Sequence, residues 1–193
     1  MKRLLVTSFE PFGGESVNAS ARVMDALPDT VGEWEICKSV LPVVFGRGAA
    51  VAIEYADRYG ADAILCLGQA AGRASVTPEM VAINLMHASI PDNDGNCPHD
   101  EAVAEDAPAA YFSTLPVRRM ADAIAADGVS GTVSYSAGTY VCNDVLYRLL
   151  RHYDGSGVKV GFIHVPVTPE QGTPSMDTET AARAVRAAIA AII

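Results

Sequence analysis

Positive charge is scarce in this chain. Among 193 residues, 14 Lys and Arg stand against 23 Asp and Glu, a formal net charge of -9, with no basic cluster. That argues against a nucleic-acid partner or an anionic membrane surface. Long apolar runs are also missing: the most apolar stretch, 181–193, is interrupted by Arg183 and Arg186, so no membrane span is expected. Lys2 and Arg3 precede an apolar run, but Glu10 and Pro11 follow too soon for a secretory leader, and a cytoplasmic protein is expected. The four cysteines, Cys37, Cys66, Cys97 and Cys142, show no CxxC spacing, which speaks against a zinc knuckle or a dithiol redox pair. No Pro/Gly/Ser-rich linker or internal repeat divides the chain, so residues 1–193 are expected to form one domain around one core.

What is present is an alternation of β-type and α-type segments, the pattern of helices packed on a largely parallel sheet. It predicts an α/β fold, a three-layer α/β/α sandwich around a mostly parallel, mixed, twisted sheet. Strands are expected at 3–7, 33–41, 63–67, 80–86, 132–135 and 159–164. Helices are expected at 19–26 capped by Asn18, at 47–58 stopped by Gly60, from Thr114 and Pro116 to about 127, from the Cys142 turn to 152, and at 177–192. The stretch 87–106 carries turn signals and no regular period, as functional loops of that length do, and suggests a lid or an interface.

Cys142 is the leading chemical candidate. It lies in Ser136-Ala137-Gly138-Thr139-Tyr140-Val141-Cys142-Asn143-Asp144, where a β-type run gives way to a helix. Unpaired N–H groups at a helix start carry partial positive charge and favour a thiolate, although most cysteines are simply small apolar core residues. Cys66 lies in a continuous apolar run and reads as core, whereas Cys97, in a polar loop, reads as exposed. A thiol nucleophile needs a base, and His164 ends the apolar strand Gly161-Phe162-Ile163-His164, where open α/β sheets place ligand sites. A core histidine would look the same in isolation. Glu79, after the turn Thr77-Pro78, is the best candidate to orient the imidazole, its alternative being an exposed strand-end glutamate.

Spaced motifs along nearly the whole chain carry a family resemblance. They are Phe9-Glu10-Pro11-Phe12-Gly13-Gly14, Thr77-Pro78-Glu79, Val81-Ala82-Ile83-Asn84, Ile90-Pro91-Asp92-Asn93, Pro108-Ala109-Ala110-Tyr111, Thr114-Leu115-Pro116, Ala137-Gly138-Thr139, Val141-Cys142-Asn143, and Gly161-Phe162-Ile163-His164-Val165-Pro166 followed by Pro169-Glu170-Gln171. In this order they resemble pyroglutamyl peptidase I, a family of cysteine peptidases that removes N-terminal pyroglutamate. The resemblance implies Cys142 as nucleophile, His164 as base and then acid, and Glu79 as orienting carboxylate. It implies Phe9 and Phe12 as walls for the lactam ring, with Gln69, Tyr140 and Val141 also at the substrate. It further implies no metal or cofactor, peptides with N-terminal pyroglutamate as substrates, and a homo-oligomer, dimer or tetramer.

Some positions depart from the family pattern. Met80 and Ser89 stand where the family usually has arginine, while Ser8 and Ala71 replace usual glycines. Two positive charges near the site are therefore missing. A thiol hydrolase of another small lactam or acyl substrate, or a catalytically weak relative that binds pyroglutamyl peptides, stays open as an alternative.

Overall fold

A computed structural model describes residues 1–192. In chain order the elements are β1 (Lys2–Phe9), α1 (Ala19–Asp25), β2 (Thr30–Val31), β3 (Trp34–Leu41), α2 (Arg47–Tyr59), β4 (Ala63–Gln69), β5 (Thr77–Pro78), β6 (Val81–Ile83), β7 (Ala110–Phe112), α3 (Val117–Ala126), α4 (Val141–His152), β8 (Lys159–Val165) and α5 (Thr178–Ala190). The main sheet runs β2-β3-β1-β4-β8-β5. Its four inner strands pair in parallel, while β2 and β5 are antiparallel edges. The expected α/β architecture with a mostly parallel, mixed sheet is what forms.

Strand periodicity decides which residues meet which helices, because successive side chains point to opposite faces. Leu4 and Val6, Leu65 and Leu67, and Ile163 and Val165 enter a core closed by α1, α3 and α5. Leu5, Ile64, Cys66, Val160 and Phe162 enter the other, closed by α2 and α4. His164 shares the parity of Phe162 and so faces α4, the helix that carries Cys142. Asn18 caps α1 by accepting from Ser20 N, and Gly60 closes α2 in the left-handed conformation at φ 62.

Two expected strands differ. The segment 80–86 yields only β6, which leaves the main sheet and pairs antiparallel with β7, a strand the sequence pattern did not mark. Its mixed periodicity gives it no continuous apolar face for the main sheet. The segment 132–135 forms no strand; Gly131 and Ser134 make single bridges to Val76 and Glu79. Thr132 and Tyr135 are exposed and Val133 is only half-buried, so neither face buries enough to sustain pairing. Helix α5 ends at Ala190 rather than 192, with Ala191 as its cap.

Candidate active site

The site forms at the carboxyl ends of the parallel strands, where the chain, having gone from β1 to β3, returns across β1 to β4. Phe9 ends β1, Gln69 ends β4, and His164 lies one residue before the end of β8. Parallel register places Gly68 directly opposite His164. A Cβ on Gly68 would lie 2.7 Å from the Phe162 ring and 3.0 Å from Cys142 Sγ. The absent side chain is what lets α4 bring sulfur down onto the sheet.

Helix α4 begins at Val141, so Cys142 sits in its first turn. That turn is pinned from two sides. Asn143, fully buried, accepts from Ile83 N at 2.9 Å and donates Nδ2 to Ile83 O at 2.9 Å and Leu85 O at 3.0 Å. Asp144 accepts from Gly46 N at 2.8 Å and from Arg148 Nε at 2.7 Å. These anchors hold the N–H groups of the helix start in a fixed direction. Their sequence signal was proximity to Cys142, but their partners are remote in the chain.

Glu79 reaches His164 through backbone geometry. Antiparallel pairing of β5 with β8 sets Thr77 opposite His164, and Glu79 N donates to Phe162 O at 2.9 Å. The carboxylate then lies 2.7 Å from His164 Nδ1, with Glu79 fully buried and His164 4% exposed. Thus Glu79 follows the short edge strand β5 and precedes β6. Burial alone would raise its carboxyl, but the hydrogen bond and charge of His164, with Arg73, hold it below its ordinary value of 4.5. Ser134 is close enough to lower it further, yet its hydroxyl donates to Ser136 O, and Glu79 Oε2 has no partner of good geometry among the described residues.

Arg73 is the functional neighbour that sequence reading missed. Its Nη1 donates to Glu79 Oε1 at 2.6 Å and to Thr77 Oγ1 at 2.5 Å, while Nη2 donates to Ser136 O at 3.0 Å. A cation therefore stands at the Glu79 carboxylate although Met80 is only half-buried and apolar. Ser89 is exposed.

A cavity of about 140 Å³ is lined by Cys142, His164, Phe9, Phe12, Gln69, Tyr140 and Val141, together with Asn18, Val43 and Ala137. Larger depressions exist, among them one of about 460 Å³ between α1 and α5, but they contain neither the thiol nor the imidazole. Glu79 lies behind His164, outside the cavity wall. The Phe12 ring meets Tyr140 at 5.9 Å between centroids, and Tyr140 meets Phe45 at 5.4 Å. The long loop 87–106 contributes from outside: Tyr140 Oη donates to Pro91 O at 3.0 Å, and buried Asp92 accepts from Phe45 N at 3.0 Å. Among the described residues no cluster of His, Cys, Asp and Glu is placed to hold a metal.

The thiol corrects one expectation. Although Cys142 is partly exposed, it opens only onto this small cavity, and burial pushes its pKa up to about 12, aided by the Glu79 charge. Arg73 and the Cys142 backbone N–H act oppositely but more weakly. Desolvation thus opposes the ionising effect of the helix start.

Comparison with known proteins identifies the family. The model of the pyroglutamyl peptidase family matches residues 2–193. The chain belongs to the pyroglutamyl peptidase family. It is 46% identical over 198 residues to pyrrolidone-carboxylate peptidase of Staphylococcus saprophyticus, covering 99% of this chain and 93% of the relative. A Bacillus cereus protein of the same name is 42% identical, over 98% of this chain and 92% of its own. Among solved structures, pyroglutamyl peptidase I of Bacillus amyloliquefaciens superposes with a TM-score of 0.96 at 39% identity, covering 100% and 97% of the two chains. Pyrrolidone carboxyl peptidase of Thermococcus litoralis gives 0.95 at 38%, covering 100% and 93%. Among the described residues no helix is long and apolar enough to cross a membrane.

Proposed function

We propose that this peptidase hydrolyses the amide bond after an N-terminal pyroglutamate through a thioester on Cys142. The observation that carries the reading is that His164, whose Nδ1 lies 2.7 Å from the buried Glu79 carboxylate, lines one small cavity with Cys142 and the aromatic walls Phe9 and Phe12. With Glu79 ionised, His164 Nδ1 keeps its hydrogen and donates it, which leaves Nε2 as the basic nitrogen.

Sulfur attacks the pyroglutamyl carbonyl carbon as His164 Nε2 takes the thiol proton. Coupling the two events avoids a free thiolate in a site that disfavours one. Negative charge passes to the carbonyl oxygen, where N–H groups at the α4 start stabilise it; one such donor can contribute about 2.7 to 4 kcal/mol. The C–N bond then breaks as imidazolium protonates the departing amine. Water, deprotonated by the same nitrogen, attacks the thioester and releases pyroglutamate and the thiol. Apolar walls suit an uncharged lactam, whereas a charged N-terminal amine would lose hydration there.

Release of a fluorophore from a pyroglutamyl reporter, compared with a prolyl reporter, tests the reading. Cys142→Ala should abolish it, and parent-like turnover by that variant would overturn the mechanism. A dimer or tetramer, proposed from family resemblance, is checked by analytical ultracentrifugation.

A further inference from the structure

The motif Pro169-Glu170-Gln171 follows β8 and lies outside the chemistry described above. It forms a turn, with Gln171 N donating to Thr168 O at 2.9 Å. The Gln171 side chain reaches back across the site to Gln69, 102 residues earlier in sequence.

The two ends of an amide side chain differ chemically, and backbone groups determine both orientations here. Thr168 N–H can only donate, and it lies 3.0 Å from Gln171 Oε1, so that atom must be oxygen. Gln171 Nε2 is then the atom that donates to Gln69 Oε1 at 2.9 Å and to Val17 O at 3.2 Å. Gln69 Oε1 also accepts from Ala19 N–H at 2.8 Å. Two donors occupy that oxygen. Gln69 Nε2 has no hydrogen-bond partner among the described residues, and Gln69 is one of the residues lining the cavity beside Cys142 and His164.

We propose that Gln171 is a positioning residue, which locks the Gln69 amide so that its N–H₂ edge faces the pocket and donates to the ring carbonyl of the substrate. The inference rests on the pyroglutamyl reading. A reversed Gln69 would set its NH₂ against Ala19 N–H and Gln171 Nε2, donor against donor, and would offer an acceptor to the carbonyl. Gln171 thereby contributes to selecting a lactam over an apolar ring of equal size.

Gln171→Glu preserves the acceptor for Thr168 but turns the edge facing Gln69 from donor to acceptor. In a Cys142→Ser background, calorimetry would compare pyroglutamyl-alanine amide with cyclopentanecarbonyl-alanine amide, whose ring lacks the carbonyl and N–H. The parent background should favour the lactam, and Gln171→Glu should reduce that preference about tenfold while leaving cyclopentyl binding within twofold. Gln69→Glu, which keeps both acceptor roles and removes the donor, should lose at least as much preference. An unchanged ratio in Gln171→Glu, or equal weakening of both ligands, would overturn the positioning role. Reporter hydrolysis by the Cys142 protein separates the two claims: turnover with an unchanged ratio removes only Gln171's role, whereas absence of turnover removes the proposed function.

Discussion

Gly68→Ala tests how tightly sulfur is seated on the sheet. Gly68 has ordinary backbone angles, so alanine meets no conformational barrier; the cost is entirely one of space. Its Cβ would stand 2.7 and 2.8 Å from two carbons of the Phe162 ring and 3.0 Å from Cys142 Sγ. Comfortable carbon contacts begin near 3.5 Å, so the ring must yield by about 0.8 Å. Phe162 is 1% exposed and packed between sheet and helices, with little room to move. Overpacking of such a core costs about 1 to 3 kcal/mol, a fall in Tm of roughly 3 to 9 °C for a chain of this size. Displacing sulfur relative to the proposed base and oxyanion donors should lower kcat on the order of 10²-fold. Calorimetric melting and reporter kinetics read the two effects separately. Phe162→Leu added to Gly68→Ala should recover part of the Tm by giving the methyl room, but not the rate, since the sulfur contact persists. Parent-like kcat in Gly68→Ala with a lowered Tm would refute the close seating of Cys142, and an unchanged Tm would refute the ring contact.

Glu79→Gln keeps the side-chain shape but removes the charge facing His164 and Arg73; kcat should fall on the order of 10² to 10⁴-fold, measured with the pyroglutamyl reporter at saturation. Because the folded carboxyl is held below 4.5, its stabilising contribution is present above that value and disappears as pH falls through the lowered pKa. Urea melts should therefore show the parent's advantage over Glu79→Gln shrinking with acidification, and an advantage that grows instead would contradict the ionised Glu79 carboxylate. Arg73→Met strips donors from Glu79, Thr77 and Ser136, and should lower kcat about tenfold or more, with Arg73→Lys restoring only part of the rate; equal rates in all three proteins would remove Arg73 from the site. With the Cys142 thiol pushed up to about 12, alkylation followed on its own peptide by mass spectrometry should keep accelerating from pH 7 to 9.5, while a plateau below pH 8 would indicate a preformed thiolate.

Much of the fold was legible because its cues are local. The Asn18 cap, the Gly60 stop and the apolar run at 63–67 are short-range signals, and the structure keeps all three. Segment 80–86 forms a shorter strand than expected and 132–135 forms none, because a strand exists only through its partner and neither segment names one. The positions of Cys142, His164 and Glu79 could be proposed from helix start, strand end and motif order. The ionisation state of Cys142 could not, because the helix start is local whereas desolvation comes from residues brought together by folding.

By itself, then, the sequence determined the alternation of strands and helices, the parity that turns His164 toward α4, and the motif order that marks the family. Tertiary structure decided that Arg73 meets Glu79, that Asn143 clasps β6 to orient the helix start, and that Gln171 holds Gln69. The division has one physical cause. Periodicity and capping act within a few residues, whereas each of those contacts depends on sheet register and close packing, which join positions only after the chain has folded.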